Sequence, residues 1–428
     1  MFCQLEILRH SFPSSVKVIL EELPESLDET YERTLREIRK PNQGHAHRLM
    51  QCLVAAVRPL EVKELAEVLA FDFNAEGIPK LNVGWRWEDQ EEAVMSACSS
   101  LVMIVKNGES RVVQFSHFSV KEFLTANRLA EPIKDVSRYH IGLEAAHTIL
   151  ARACLGILLR LDDRIDREEI KNFPLARYAA QYWATHARFE NASSRIKDGM
   201  ECLFDADRPH FATWLWIYNG DWYKSSMQTE RPKKPDAVPL SHAARLGFRD
   251  LAEHLIVKHP EHVTAWGGSK NTPIHVAAHE GYTDILSLLL EHGADLEGRG
   301  DHGATPLLQA SMNGSLEAGR CLLDRGADIH TRNNSGFVPL GYAVQLESVE
   351  FAQMLLERGA RINENDNNAC KTPLHFAVGS RKIQAVRLLL EHGADVNVRD
   401  ISGMTPSQYA KQQEIAELLS EYGAKSVE

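Results

Sequence analysis

A proline recurs through the second half of the chain at Pro239, Pro273, Pro306, Pro339, Pro373 and Pro406, in steps of 34, 33, 33, 34 and 33 residues. Six in-phase copies of one short unit fold as a stack of supersecondary pieces rather than around a single closed core. A unit of this size cannot bury its own apolar face, so neighbours have to stack. The best-formed copies read Thr272-Pro-Ile-His-Val-Ala-Ala, Thr305-Pro-Leu-Leu-Gln-Ala-Ser and Thr372-Pro-Leu-His-Phe-Ala-Val, each followed by a leucine-rich run and Gly-Ala-Asp. Proline presets φ and lacks an N–H that a first helical turn does not use, so it opens a helix cheaply, and the threonine before it is placed to cap that helix. Ala277 and Ala278 keep this inner helix thin. Leu288, Leu289 and Leu290 supply the buried stripe of a second, outer helix. Gly293, Gly326, Gly359 and Gly393 are positioned to end that outer helix in the left-handed conformation.

These words are ankyrin signatures, and residues 238–428 resemble an ankyrin-repeat array of about six units. The copies are not uniform. Unit one reads Val238-Pro-Leu-Ser, and unit four reads Val338-Pro-Leu-Gly with Glu347 where a glycine usually separates the helices, so unit four is expected to be irregular. Unit six is shorter and carries Lys411, Gln412 and Gln413 where small residues would pack, as a terminal cap does. Stacked repeats present a continuous concave face, so binding a macromolecular partner is the expected role. The positions expected to be exposed on the inner helices are His242, Arg245, His279, Glu280, Gln309, Met312, Asn313, Tyr342, Gln345, Leu346, Phe376 and Ser380. Their mixed aromatic and polar character favours a protein partner. Asp301, Asn333, Asn334, Asp366, Asn367 and Asp400 read as turn formers at hairpin tips.

The resemblance gives His275 and His375 a structural role, bonding backbone between adjacent loops, while His292 and His392 are placed to meet the carbonyl end of an outer helix. His254, His259 and His262 form the best local cluster for a metal. Zinc sites want defined Cys/His spacing with carboxylate or carbonyl support, so neither metal nor other cofactor is expected. The seven cysteines occur singly and in odd number, without a CxxC pair, which fits reduced thiols in a cytoplasmic protein. A net charge of −11 opposes general binding to nucleic acid or anionic membrane. Apolar runs fall short of the ~18 residues of a membrane span. Glu6, Arg9, His10 and Lys17 interrupt any signal-peptide core.

The first 200 residues lack the period. Ser26 followed by Glu29 reads as a capping box, opening a helix striped with Leu27, Tyr31, Leu35 and Ile38. Helices are expected over His45–Val57, Glu61–Ala70 and Glu91–Ser99, and then a β-hairpin of Leu101–Val105 and Ser110–Phe115 turning at Asn107-Gly108. Helix, helix, helix and wing is the order of a winged-helix domain. The words Arg58-Pro-Leu-Glu-Val-Lys-Glu-Leu-Ala and Phe115-Ser-His-Phe-Ser-Val-Lys-Glu-Phe-Leu resemble the GPI inositol-deacylase-type winged helix that follows the NACHT ATPase in fungal NOD-like receptors. A weaker likeness continues through Ala179-Ala-Gln-Tyr-Trp-Ala-Thr-His186.

The fold expected is therefore mainly α: an N-terminal winged helix and helical region followed by an α-solenoid of ankyrin repeats. Residues 1–24 are assigned to the remnant of an upstream NACHT-like region, 25–130 to the winged helix, 131–237 to a helical region and linker, and 238–428 to the array. The resemblance implies a sensor module of a NOD-like-receptor-type signalling protein, with the winged helix as relay and the NACHT core upstream of Met1. The chain has no G-x-x-x-x-G-K-[ST] loop and hence no cradle for nucleotide phosphates. Nor does it show G-x-S-x-G, H-E-x-x-H or another catalytic arrangement, so no enzyme activity is expected. The alternatives are a free-standing ankyrin adaptor or a DNA-binding winged-helix regulator. The latter is opposed by Glu61, Glu64 and Glu67 against Lys63 alone on the candidate recognition helix Glu61–Ala70.

Overall fold

The computed structural model describes residues 26–424, apart from 75–76, 99, 131–134, 167, 221–237 and 268–269. The assignment of 1–24 to an upstream remnant, and part of the linker before 238, lie outside the described residues. The chain forms two compact units, divided between Lys233 and Lys234.

The first unit begins with α1 (Leu27–Glu37), where the Ser26 hydroxyl accepts from the Glu29 amide at 3.2 Å. Only Tyr31 and Leu35 of its stripe are buried, and Leu27 at the open first turn faces outward. There follow α2 (Gln43–Ala55), β1 (Leu60–Glu61), α3 (Val62–Leu69), a two-stranded ribbon of β2 (Phe71–Asp72) and β3 (Lys80–Leu81), α4 (Gln90–Cys98), β4 (Val102–Asn107) and β5 (Ser110–Phe115). Strand β5 pairs antiparallel with both β4 and β1, making the three-stranded wing. Asn107 pairs with Ser110, so the loop is Gly108-Glu109, one residue later than the Asn-Gly pattern suggests. Gly108 has φ +61 while Glu109 does not enter positive φ. That is the type II′ arrangement, with glycine first. Helix α5 (Phe118–Thr125) follows, its N-terminus capped by the His117 ring.

A helical region completes this unit with α6 (Leu143–Leu158), α7 (Ala176–Ala187), α8 (Lys197–Leu203) and α9 (His210–Gly220). Trp183, Phe204, Phe211 and Trp214 form an aromatic cluster with centroid separations of 5.2–5.9 Å, and Trp214 donates to the Ala180 carbonyl. The winged helix and helical region share polar contacts as well as core. The Val57 amide donates to the Tyr178 hydroxyl, and the Leu175 amide to the Glu67 carboxylate at 2.7 Å.

The second unit repeats an inner and an outer helix: α10 (Pro239–Leu246) and α11 (Arg249–Lys258), α12 (Pro273–Glu280) and α13 (Thr283–Glu291), α14 (Pro306–Asn313) and α15 (Leu316–Asp324). It continues with α16 (Pro339–Ala343) and α17 (Glu350–Glu357), then α18 (Pro373–Gly379) and α19 (Ile383–Glu391). Every inner helix starts at the recurrent proline, and Thr272, Thr305 and Thr372 cap as expected. Gly293, Gly326, Gly359 and Gly393 all have positive φ at the ends of the outer helices. Unit four is irregular, its inner helix only five residues long. Unit six replaces the inner helix with a 3₁₀ turn, Pro406–Tyr409, before α20 (Gln413–Glu421).

Candidate partner-binding surfaces

The histidine column explains how successive units are locked together. His275 Nδ1 lies 2.8 Å from the Thr272 hydroxyl, and Nε2 lies 2.8 Å from the Gly298 carbonyl and 3.1 Å from that of Ala304. Carbonyls only accept, so Nε2 carries the proton and Nδ1 accepts from threonine. His375 repeats the pattern with Thr372 and the Met404 carbonyl. Burial holds both imidazoles below their ordinary range. In unit six Gln408 takes the place of histidine, its Oε1 accepting from the Thr405 amide. His292 and His392 each donate from Nδ1 to the carbonyl four residues earlier. At the hairpin tips Asn333, Asp366 and Asp400 accept from nearby backbone amides. These groups are structural.

The twelve proposed surface residues separate by their distance from the recurrent proline. Three residues on stand His242, Gln309, Tyr342 and Phe376, along the column where units meet. Gln309 is buried, contrary to the expectation of exposure, and His242, Tyr342 and Phe376 are only partly exposed. Short thin helices stack closely enough that this column packs between neighbours. Tyr342 accepts a hydrogen bond from Asn333 Nδ2, and both Tyr342 and Phe376 pack against Phe337, at centroid distances of 5.0 and 4.7 Å. Phe337 was not among the candidates because it precedes the helix in a hairpin, and its only sequence signal is an aromatic two residues before Pro339.

Six and seven residues after the proline the surface opens. Arg245, Glu280, Met312 and Asn313 are exposed, while His279, Gln345 and Leu346 are partly so. Met312, 43% exposed, is the more open of the two large apolar side chains among them, Leu346 being partly buried. Asn313 Nδ2 is tied to the His279 carbonyl at 2.7 Å, and Gln345 Nε2 to that of Gly341. Ser380, at the end of α18, is partly exposed. The face thus presents Met312 with Leu346, Tyr342 and Phe376 on the following units, beside the polar Arg245, His279 and Glu280.

In the winged helix, the wing and the helix ahead of it revise the expected recognition helix. Strand β1 follows α2, and α3 packs against α4, the helix that precedes the wing strands β4 and β5. The second helix of such a pair occupies the groove-reading place, so that place belongs to Gln90–Cys98, not Glu61–Ala70. Glu64 and Glu67 on α3 are buried, not exposed to a groove. Glu64 forms a bidentate pair with Arg58 at 2.6 and 2.8 Å, and Glu67 pairs with Arg86. Desolvation raises the Glu67 carboxyl above its ordinary range despite the Leu175 amide and Arg86, which act to lower it. The surface beside α4 is nevertheless acidic: Glu61, Glu88, Asp89, Glu91 and Glu109 line one groove against Lys63 and Arg111. Lys63 pairs with Glu61, and Arg111 with Glu91. Val83, Trp85 and Trp87, just before this helix, are about half exposed.

Comparison with known proteins fits these two architectures. Residues 240–333, 305–366 and 340–427 match the family description "Ankyrin repeats (3 copies)", and residues 31–133 match "GPI inositol-deacylase, winged helix domain". The chain carries ankyrin repeats and a winged-helix domain of the GPI inositol-deacylase type. It is 28% identical over 300 residues to the azaphilone pigments biosynthesis cluster protein L of Monascus ruber, an alignment covering 66% of this chain and 62% of that protein. It is 42% identical over 57 residues to BCL-6 corepressor-like protein 1 of Mus musculus, covering 13% of this chain and 3% of the relative. The chain therefore spans less than two thirds of either relative. Among solved structures, the ankyrin repeat domain of Bcl-3 aligns at 30% identity with a TM-score of 0.41, covering 45% of this chain and 89% of that one. Among the described residues, no helix is long and apolar enough to cross a membrane.

Proposed function

We propose that this chain is the protein-binding and relay part of a NOD-like-receptor-type signalling protein, working in the cytoplasm without catalytic activity of its own. The carrying observation is the exposed Met312 with Tyr342, Leu346 and Phe376 on the next two units, an apolar strip edged by polar and charged side chains. Protein interfaces have that anatomy, with aromatics and methionine in the core and a polar rim. The relay role draws support from the polar contacts that join the winged helix to the helical region, at Tyr178 with Val57 and Glu67 with Leu175.

Met312→Asp tests the surface without threatening the core, because this side chain is already exposed. Partners captured by the wild-type chain should be lost about tenfold or more from the variant if Met312 sits at the interface centre. Val257→Asp, at a 76% exposed site on outer helix α11, should capture as wild type does. Equal recovery by Met312→Asp removes this face from the proposal. The receptor assignment has its own test in the reading frame ahead of Met1: a P-loop in frame supports it, and an authentic stop favours a free-standing adaptor.

A further inference from the structure

His259 closes outer helix α11, its amide donating to the Leu255 carbonyl at 2.8 Å, and a 3₁₀ turn over Pro260–Val263 follows at once. Side chains three residues apart in a 3₁₀ turn lie over one another. His259 and His262 accordingly stack, with ring centroids 4.9 Å apart and planes 22° from parallel. Between them in sequence stands Glu261, whose Oε1 is 3.4 Å from His259 Nδ1. One donor atom from each of His259, Glu261 and His262 lies within 4.8 Å of the other two. His259 Nε2 and His262 Nδ1 are buried without a hydrogen-bond partner.

We propose that His259, Glu261 and His262 form a binding site for a divalent transition-metal ion of the zinc type, at the turn ending the first ankyrin unit. Two imidazoles and a carboxylate are borderline donors suited to Zn²⁺, which bonds them at about 2.0–2.2 Å and leaves a coordination position for water or a further donor. A tetrahedral ion at that bond length holds its donors about 3.4 Å apart, within reach of small side-chain rotations. This departs from the sequence expectation of no metal, and the donor set explains why. The local sequence cluster is His254, His259 and His262, which lacks the carboxylate; the folded turn brings in Glu261 and leaves out His254. The bound ion would fasten the end of α11 to the turn that leads toward the second unit.

The test is calorimetric titration of ZnCl₂ into the full chain after EDTA treatment, with thermal melting alongside. The expected result is one equivalent of zinc at a site distinct from weaker association with the chain's other histidines, and a melting transition that rises with zinc. Loss of an outer-shell partner alone costs about 10–100-fold in metal affinity, so Glu261→Gln and His262→Ala should each weaken binding by about tenfold or more. Glu261→Gln alters a carboxylate that is 67% exposed, so its melting in EDTA should equal that of wild type and rules out a folding artefact. His254→Ala should bind as wild type does. Unchanged zinc affinity in Glu261→Gln and His262→Ala, loss in His254→Ala, or only weak multiple binding in the wild type would each overturn the site.

Discussion

His186 shows how one buried side chain can couple the first unit to pH. Its Nε2 lies 2.9 Å from the Tyr178 hydroxyl, and its Nδ1 lies 2.9 Å from His147 Nδ1. With Nε2 accepting from tyrosine, His186 donates from Nδ1, and His147 has to accept. Burial, and then the neighbouring His147, push the His186 imidazole down to about 3. The unfolded chain protonates the same ring near pH ~6.5. Between these values the unfolded chain holds a proton that the folded chain refuses, so stability falls as pH falls through that window. The slope from this residue is about 1.4 kcal/mol per pH unit. His186→Gln keeps an acceptor and a donor but removes the titration. Urea unfolding of the first unit should show a shallower loss of stability between about pH 6.5 and pH 4 in this variant than in wild type. Parallel profiles would place the acid sensitivity elsewhere.

At the scale of elements, inter-helix turns decide how well each ankyrin unit stacks. Gly247, Gly281 and Gly314 end the first three inner helices at φ +74, +86 and +71. A Cβ on Gly314 would also stand 2.9 Å from Leu346 Cδ1 of the next unit. In unit five the corresponding turn puts Arg381 at φ +60, a conformation that costs an L-residue about 1–2 kcal/mol. Opposite substitutions should therefore have opposite signs. Gly314→Ala should destabilise the array by about 1–3 kcal/mol, from backbone strain and displaced Leu346. Arg381→Gly should raise its stability by up to about 1 kcal/mol, strain relief being partly offset by the freer unfolded chain. Chemical denaturation of both variants measures the pair, and stabilisation by Gly314→Ala would contradict the stacking geometry. The repeat's helix boundaries were readable because their causes are local: the recurrent proline with its threonine at the inner helix's start, and Gly293, Gly326, Gly359 and Gly393 at the outer helices' ends, act within a few residues of their own position. The faces were less readable. Gln309 looked exposed because a helix pattern does not reveal how near the next helix lies, and Glu64 and Glu67 looked like surface charge because their partners, Arg58, Arg86 and the Leu175 amide, are fixed by tertiary packing. Glu261 escaped notice for a similar reason, since a 3₁₀ turn rather than sequence spacing brings it beside the histidines.

For the molecule as a whole, charge bears most directly on what the winged helix does. Duplex binding needs cations that displace counterions from phosphate. Here the net charge is −11, and the helix in the groove-reading place begins beside Glu88, Asp89 and Glu91. Asp89 is not free to turn away, because its Oδ1 accepts from the amides of Glu91 and Glu92 at 2.9 and 3.0 Å, capping the helix. Reorienting it would uncap α4, so the acidic edge is built into the element. Gel-shift titration of the full chain with duplex DNA should show no complex tighter than about 10⁻⁴ M even at low salt. Replacing Glu88 and Glu91 with lysine spares the cap and changes the local charge by four units. If the winged-helix shape is otherwise able to meet a groove, this variant alone should acquire duplex binding that weakens steeply with salt. Duplex binding by the wild type with a slope of several counterions would instead mean that another surface supplies the cations, and would return DNA recognition to the functions open to this fold.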